Sequence, residues 1–239
     1  MAKFREILHF LMNRLTNLPV FIVFVLTVSH QGWAQNCSYE TAMLKQGLVE
    51  VSQAVPGVRV ELKYATQDNF MKRDVYGCLQ HGYLQKEVVD MLKKAQKSLE
   101  ANKPGYHLLI YDAARPLSIQ WILWNTLTQY PPNIRKNYVA DPREHSIHNY
   151  GSAIDLTVAD EKGKALDMGT TFDFFGELAY PSKEQELLAN NKLSKKVYEN
   201  RLILRNAMKA AGFMPIEYEW WHFNAFSRAE AKRRYRVVQ

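Results

Sequence analysis

The stretch Ala153 to Val158, AIDLTV, restricts the fold of this chain more than any other. Side chains alternate along a strand, so Ile154, Leu156 and Val158 share one side while Ala153, Asp155 and Thr157 share the other. The first set belongs to a core. Asp155 then faces away from that core, into a cleft beneath the loop EHSIHNYGS that precedes the strand. Gly151 frees the backbone to turn back, which brings His148 over Asp155. A histidine and an aspartate so placed are either a hydrogen-bonded couple or two ligands of the kind zinc accepts.

Around this stretch helices and strands alternate. VRVELKY (Val58 to Tyr64) sets Val58, Val60 and Leu62 between charged neighbours and reads as a half-buried strand. KEVVDMLKKAQKSLEAN repeats apolar residues at Val88, Leu92, Ala95 and Leu99, a helix that Pro104 and Gly105 end. HLLIYD (His107 to Asp112) is a short buried strand, and Ser118 caps a helix that Pro131 and Pro132 stop. Ser194 opens another helix ending near Gly212, and FMPIEYEWWHF (Phe213 to Phe223) is aromatic and extended. The segment from Tyr130 to Arg143 reads as a loop. Antiparallel pairing of these strands, with helices alongside, gives one α+β domain with a small antiparallel sheet.

A chain of 239 residues, 47% hydrophobic, can bury a real core in a single domain. Its net charge of +7 is spread along the chain, which is weak support for a nucleic-acid partner. Part of that charge belongs to the N-terminus, where Lys3, Arg5 and Arg14 precede the apolar run LPVFIVFVLTV. Gly32 and Ala34 follow in the spacing of a cleavage site, so residues 1–34 read as a secretory signal peptide, with a membrane anchor as the alternative. The apolar run is short against the roughly 20 residues of a membrane span. Cleavage leaves residues 35–239 as an exported, periplasmic or secreted domain with a net charge of +5. No nucleic acid and no membrane is expected as a partner of that domain. Cys37 and Cys78 stay in it, either as a disulfide or as two unpaired thiols. Two cysteines cannot make a thiolate zinc site, so any metal is held by histidine and carboxylate.

A second cluster lies near the C-terminus, where EYEWWHF carries Glu217, Glu219 and His222 among bulky aromatics. A catalytic zinc uses three protein ligands and leaves its fourth position to water. His222 could complete a His–Asp–His set, and Glu219 could take a proton from that water. Glu219 and His222 are three apart, which on a regular strand puts them on opposite faces. If both act at one point, the backbone between them bends or bulges.

SIHNYGSAID fits an S-x-H-x-x-G-x-A-x-D pattern and EWWH an E-x-x-H partner. With LKYATQDNF, LLIYDAARP and LDMGTTFDFF they resemble the zinc D-alanyl-D-alanine dipeptidases (the VanX-type enzymes), from about Val58 to Phe223. The resemblance implies a hedgehog/D,D-peptidase-like fold and one zinc ion per chain, bound by His148, Asp155 and His222. It implies Glu219 as catalytic base and then acid, and Arg115 as the cation that steadies the oxyanion. Asp173 would receive the ammonium of a small D,D-dipeptide substrate, with Ser146 and Tyr64 as further substrate contacts. Taken without the resemblance, Arg115 reads equally as a salt bridge or cap before the Ser118 helix. His145 stands outside the pattern and reads as a loop histidine.

Two departures touch the pocket wall: DAARP replaces a bulkier Gly-aromatic pair, and the connection from Arg115 to His148 is short. The expected reaction is hydrolysis of free D-Ala-D-Ala-type dipeptides in the cell envelope. The rival readings are a carboxypeptidase or endopeptidase acting on longer peptidoglycan stems, and a non-enzymatic zinc or wall-binding module. The basic tail RAEAKRRYRVVQ reads as a solvated helix face, with anionic wall polymers or a partner as the sharper alternative.

Overall fold

The computed structural model describes residues 37–239; the expected leader lies outside the described residues. A mixed five-stranded sheet runs in the order β2 (Arg59–Val60), β4 (His107–Asp112), β5 (Ala153–Ala159), β7 (His222–Asn224), β6 (Met214–Pro215). Strands β4, β5, β7 and β6 pair antiparallel, while β2 joins the edge in parallel. A separate antiparallel ribbon pairs β1 (Val49–Glu50) with β3 (Tyr83–Leu84). Among the described residues no helix is long and apolar enough to cross a membrane.

Strand β5 is the centre of the sheet and is buried along its whole length. Ile154, Leu156 and Val158 are fully enclosed, as the alternation requires. Two long helices, Lys86–Asn102 and Lys195–Ala210, pack on the sheet and on each other. The first buries Val88, Val89, Leu92, Ala95 and Leu99, positions three and four apart on one face. Ser194 caps the second through a bond accepted from the Val197 amide.

Three sequence expectations shift. VRVELKY is not one strand: only Arg59–Val60 pairs, and a 3₁₀ turn over Lys63–Ala65 follows. The turn lets Lys63 bridge Glu61 and Asp68 while Tyr64 goes inward. Ser118 is not the cap of its helix. Pro116 holds that position, because its extended ψ of 142° and missing amide end the preceding chain, and the helix spans Leu117–Thr126. That helix stops before the prolines, which open a further single turn at Pro132–Arg135.

Cys37 and Cys78 form a disulfide with their Cα atoms 5.3 Å apart, closing a loop across 41 positions. It ties the helix Ser38–Lys45 to the turn before β3, where Glu40 accepts from the amides of Gln80 and His81. Closing a loop of that size removes entropy from the unfolded chain. The double replacement Cys37→Ser/Cys78→Ser should lower unfolding free energy by about 2–4 kcal/mol, read as a lower urea midpoint with a slope at least as steep, because the released loop leaves the unfolded chain more open.

Candidate active site

The cleft is assembled where three strands end side by side. Across the sheet, Asp155 on β5 lies directly opposite His222 on β7, and Asp112 on β4 pairs with Asp155 after a register shift. One row therefore carries two carboxylates and an imidazole. His148 comes from the loop above. Ser146 caps a 3₁₀ turn at Ile147–Tyr150, its hydroxyl accepting from the His148 amide, while Asn149 Oδ1 accepts from the Ser146 amide. Gly151 is left-handed at φ 62° and donates to the His148 carbonyl, reversing the chain into β5. The left-handed φ is what calls for glycine, and a Cβ there would sit tight against the Leu48 side chain at 3.0 Å.

Three atoms converge. His148 Nε2, His222 Nδ1 and Asp155 Oδ1 stand 3.1, 3.3 and 2.9 Å from one another. The outer nitrogens determine the tautomers: His148 Nδ1 donates to the Ala113 carbonyl at 2.7 Å, and His222 Nε2 donates to Asn224 Oδ1 at 2.8 Å. Both inner nitrogens then carry lone pairs, pointed at a carboxylate oxygen. Three acceptors in mutual contact repel unless a cation lies among them. The circle through them has a radius of about 1.8 Å, just under zinc–nitrogen and zinc–oxygen bonds of about 2.0–2.2 Å. An ion of that size can touch all three, so the donor set fits zinc.

Glu219 reaches the same point. The strand begins only at His222, and residues 217–221 bend, so the expected conflict of faces does not arise. Its Oε2 lies 3.8 Å from His222 Nδ1 with a quarter of the side chain (26%) open to the cleft. Burial pushes the Glu219 carboxyl up to about 7, reinforced by Asp155 and Asp173 and opposed by His222. Trp221 walls the cleft, and Trp220 packs edge-on against it. Glu217 takes no part; its carbonyl accepts from Ser182.

Arg115 is both the salt bridge and the cleft residue. Its Nε and Nη2 donate to Asp112 Oδ2 at 2.9 and 2.5 Å, and Nη1 donates to Gln120 Oε1 at 2.9 Å. Three of a guanidinium's five donors are spent, leaving one on each terminal nitrogen. Nη2 lies 3.7 Å from Asp155 Oδ2. Sequence reading missed the supports: Asp112, fully buried and bonded also to the Tyr76 hydroxyl, and Gln120, Asn149 and Asn224. The spacing of Asp112 and Arg115, at the end of a strand, was the available signal.

Asp173 sits at the other side of the cleft, left-handed at φ 60°, accepting from the Tyr64 hydroxyl at 3.1 Å and the Phe70 amide at 3.3 Å. Burial pushes its carboxyl up to about 7, with Asp155 adding like charge. Burial and the Asp173 carboxylate raise the Tyr64 phenol far above its usual range, so it stays a donor. The segment carrying Asp173 is pinned by Arg201, which donates to the carbonyls of Met168 and Leu178 and to Glu184. His145 points elsewhere, 3.1 Å from the Tyr150 hydroxyl. All eight expected site residues line this one cleft, of about 260 Å³.

Removing Asp112 would strand the Arg115 charge without its partner. Asp112→Ala should therefore destabilise the fold by about 3–5 kcal/mol, measured by denaturant unfolding, whereas Gln120→Ala should fall well short of that.

The sequence matches Peptidase_M15, the family described as D-ala-D-ala dipeptidase, over residues 44–239. A D-alanyl-D-alanine dipeptidase of Escherichia coli (strain K12) is 35% identical over 179 residues, spanning 74% of this chain and 83% of its own. Dipeptidases of the same description from Enterococcus faecium and Enterococcus faecalis are 35% and 32% identical, covering 90% and 92% of their own lengths and 74% and 75% of this chain. A solved LD-carboxypeptidase, LdcB, aligns with 78% of this chain and 71% of its own at TM-score 0.40 and 22% identity. With its cleft built from the family's stretch of sequence, this chain belongs to the Peptidase_M15 D-ala-D-ala dipeptidase family.

Proposed function

We propose that this protein hydrolyses the peptide bond of free D-Ala-D-Ala-type dipeptides with one zinc ion per chain. The observation that carries the metal is the convergence of three lone-pair atoms whose tautomers are set from outside. The substrate rests on the family and on relatives named as D-alanyl-D-alanine dipeptidases. Trimming of longer peptidoglycan stems is the reading these relatives do not favour.

His148 Nε2, Asp155 Oδ1 and His222 Nδ1 would hold the ion. Zinc in such a set supplies Lewis acidity, lowering the pKa of water toward about 7 and polarising a carbonyl. Glu219 takes the proton of the attacking water and passes it to the leaving amine. Burial raises this carboxyl, which strengthens it as the base that takes the proton. Arg115 turns its two free donors to the oxygen on which charge develops, held in place beforehand by Asp112 and Gln120. Asp173 receives the substrate ammonium, steadied by Tyr64, and Ser146 lines the cleft beside His148. Export to an oxidising compartment is supported by the basic-then-apolar leader and by the Cys37–Cys78 disulfide. The charged helix Arg228–Arg234 pairs internally through Glu230 and reads as a solvated face.

The direct test is zinc quantification together with hydrolysis of D-Ala-D-Ala, L-Ala-L-Ala and a stem pentapeptide. One zinc and turnover confined to the D,D-dipeptide are expected; equal rates on the pentapeptide would reject the dipeptidase reading. Glu219→Gln should keep its zinc and lose about 10²–10⁴-fold in kcat; a near-normal rate would remove Glu219 from the chemistry. Asp173 is charged only above about pH 7, so KM for the dipeptide should fall as pH rises through that value. Asp173→Asn should flatten this profile and narrow the preference for D-Ala-D-Ala over its N-acetylated form.

A further inference from the structure

Beside Asp173, three loops from distant parts of the chain meet through their aromatic rings. Phe70 follows the 3₁₀ turn that presents Tyr64, Phe175 lies two positions after Asp173, and Tyr138 belongs to the loop after Pro132–Arg135. The Phe70 and Phe175 rings are 5.2 Å apart, and Phe175 and Tyr138 are 4.7 Å apart. Tyr130 extends the row at 5.0 Å from Tyr138. Tyr138 and Asp173 line the same cleft, and the Phe70 amide donates to Asp173 itself. Tyr138 is the ring of the row that reaches the cleft, with Phe175 packed against it and Phe70 next in line.

Its members are only partly buried, with Phe70, Tyr130 and Tyr138 packed on the edge of the core. Phe172, one position before Asp173, turns inward against Tyr64, Tyr111 and Trp221 and is buried. Phe175 is 36% exposed, and Phe70 and Tyr138 are half-buried. Aromatics placed at a rim, touching one another across loops, close space rather than fill a core.

We propose that the Phe70–Phe175–Tyr138 row sets the substrate's length limit at its amino end, barring any residue N-terminal to the dipeptide. The inference rests on the dipeptidase reading, with the ammonium at Asp173. A further residue extends the chain by about 3.3–3.6 Å past that carboxylate, into space walled by Tyr138, with Phe175 and Phe70 bracing that ring. Asp173 selects by charge. The aromatic row selects by excluded volume, a clash raised against the wrong ligand. The two are separable by substitution, because removing a ring frees space without touching the Asp173 carboxylate.

The test compares Phe175→Ala and Tyr138→Ala with the unaltered protein on D-Ala-D-Ala and D-Ala-D-Ala-D-Ala. In each variant the tripeptide-to-dipeptide ratio of kcat/KM should rise about tenfold or more, chiefly through a lower KM for the tripeptide. The same substitutions in a zinc-loaded Glu219→Gln background, titrated calorimetrically with both peptides, should shift the Kd ratio the same way. Should Phe175→Ala not fold, Phe175→Leu keeps an apolar contact and carries the comparison. Ratios within about twofold of the unaltered protein in every folded variant would overturn the inference. An unaltered protein inert on the dipeptide would instead sink the dipeptidase reading, while the Kd ratios still judge the aromatic row.

Discussion

Three electron-pair donors aimed at one point are the constraint around which this domain is arranged. Left alone, His148 Nε2, His222 Nδ1 and Asp155 Oδ1 would repel one another at 2.9–3.3 Å. They are kept there because each imidazole is tied at its far nitrogen, one to a backbone carbonyl and one to Asn224. The carbonyl of Ala113 belongs to the chain just past β4, and Asn224 lies two residues along the same strand as His222, so the sheet itself sets both tautomers.

The arginine arm and the histidine loop are laced to each other by the backbone. The Arg115 amide donates to the His148 carbonyl, and the Asn149 side chain donates to the Arg115 carbonyl. Buried Val238 adds a third tie, donating to the Asn149 carbonyl and accepting from the Leu117 amide. A cation and a metal-capable loop with opposed charge preferences are thereby held in one frame, so neither has to be organised when substrate arrives. The opposite wall depends on Arg201, whose guanidinium grips two carbonyls of the segment leading to and from Asp173.

Much of this was legible in the residues. AIDLTV read as a strand with one carboxylate turned from the core, and β5 has that form because period-two patterning leaves a central strand few alternatives. The long helices were visible for the same reason at period 3.6. Less visible was the end of VRVELKY, where Lys63 finds carboxylates on both sides and the chain turns instead of extending. Ser118 also looked like a cap, but the Leu117 amide it would have neighboured is taken by Val238, a partner over a hundred positions away. Asp112 passed unnoticed because a carboxylate at a strand end is unremarkable until Arg115 and Tyr76 close on it.

The sequence by itself determined the inventory: which imidazoles and carboxylates exist, which strand carries Asp155, which glycine lets the loop return, and which cysteines could pair. Those follow from local periodicity and backbone freedom, properties of a few consecutive residues. Only the tertiary structure decided that Asp155 and His222 are cross-strand neighbours, that bent backbone at 217–221 turns Glu219 toward them, and that three aromatic loops meet beside Asp173. Each of those depends on strand register and loop docking, which are set by long-range packing that no short window of sequence contains.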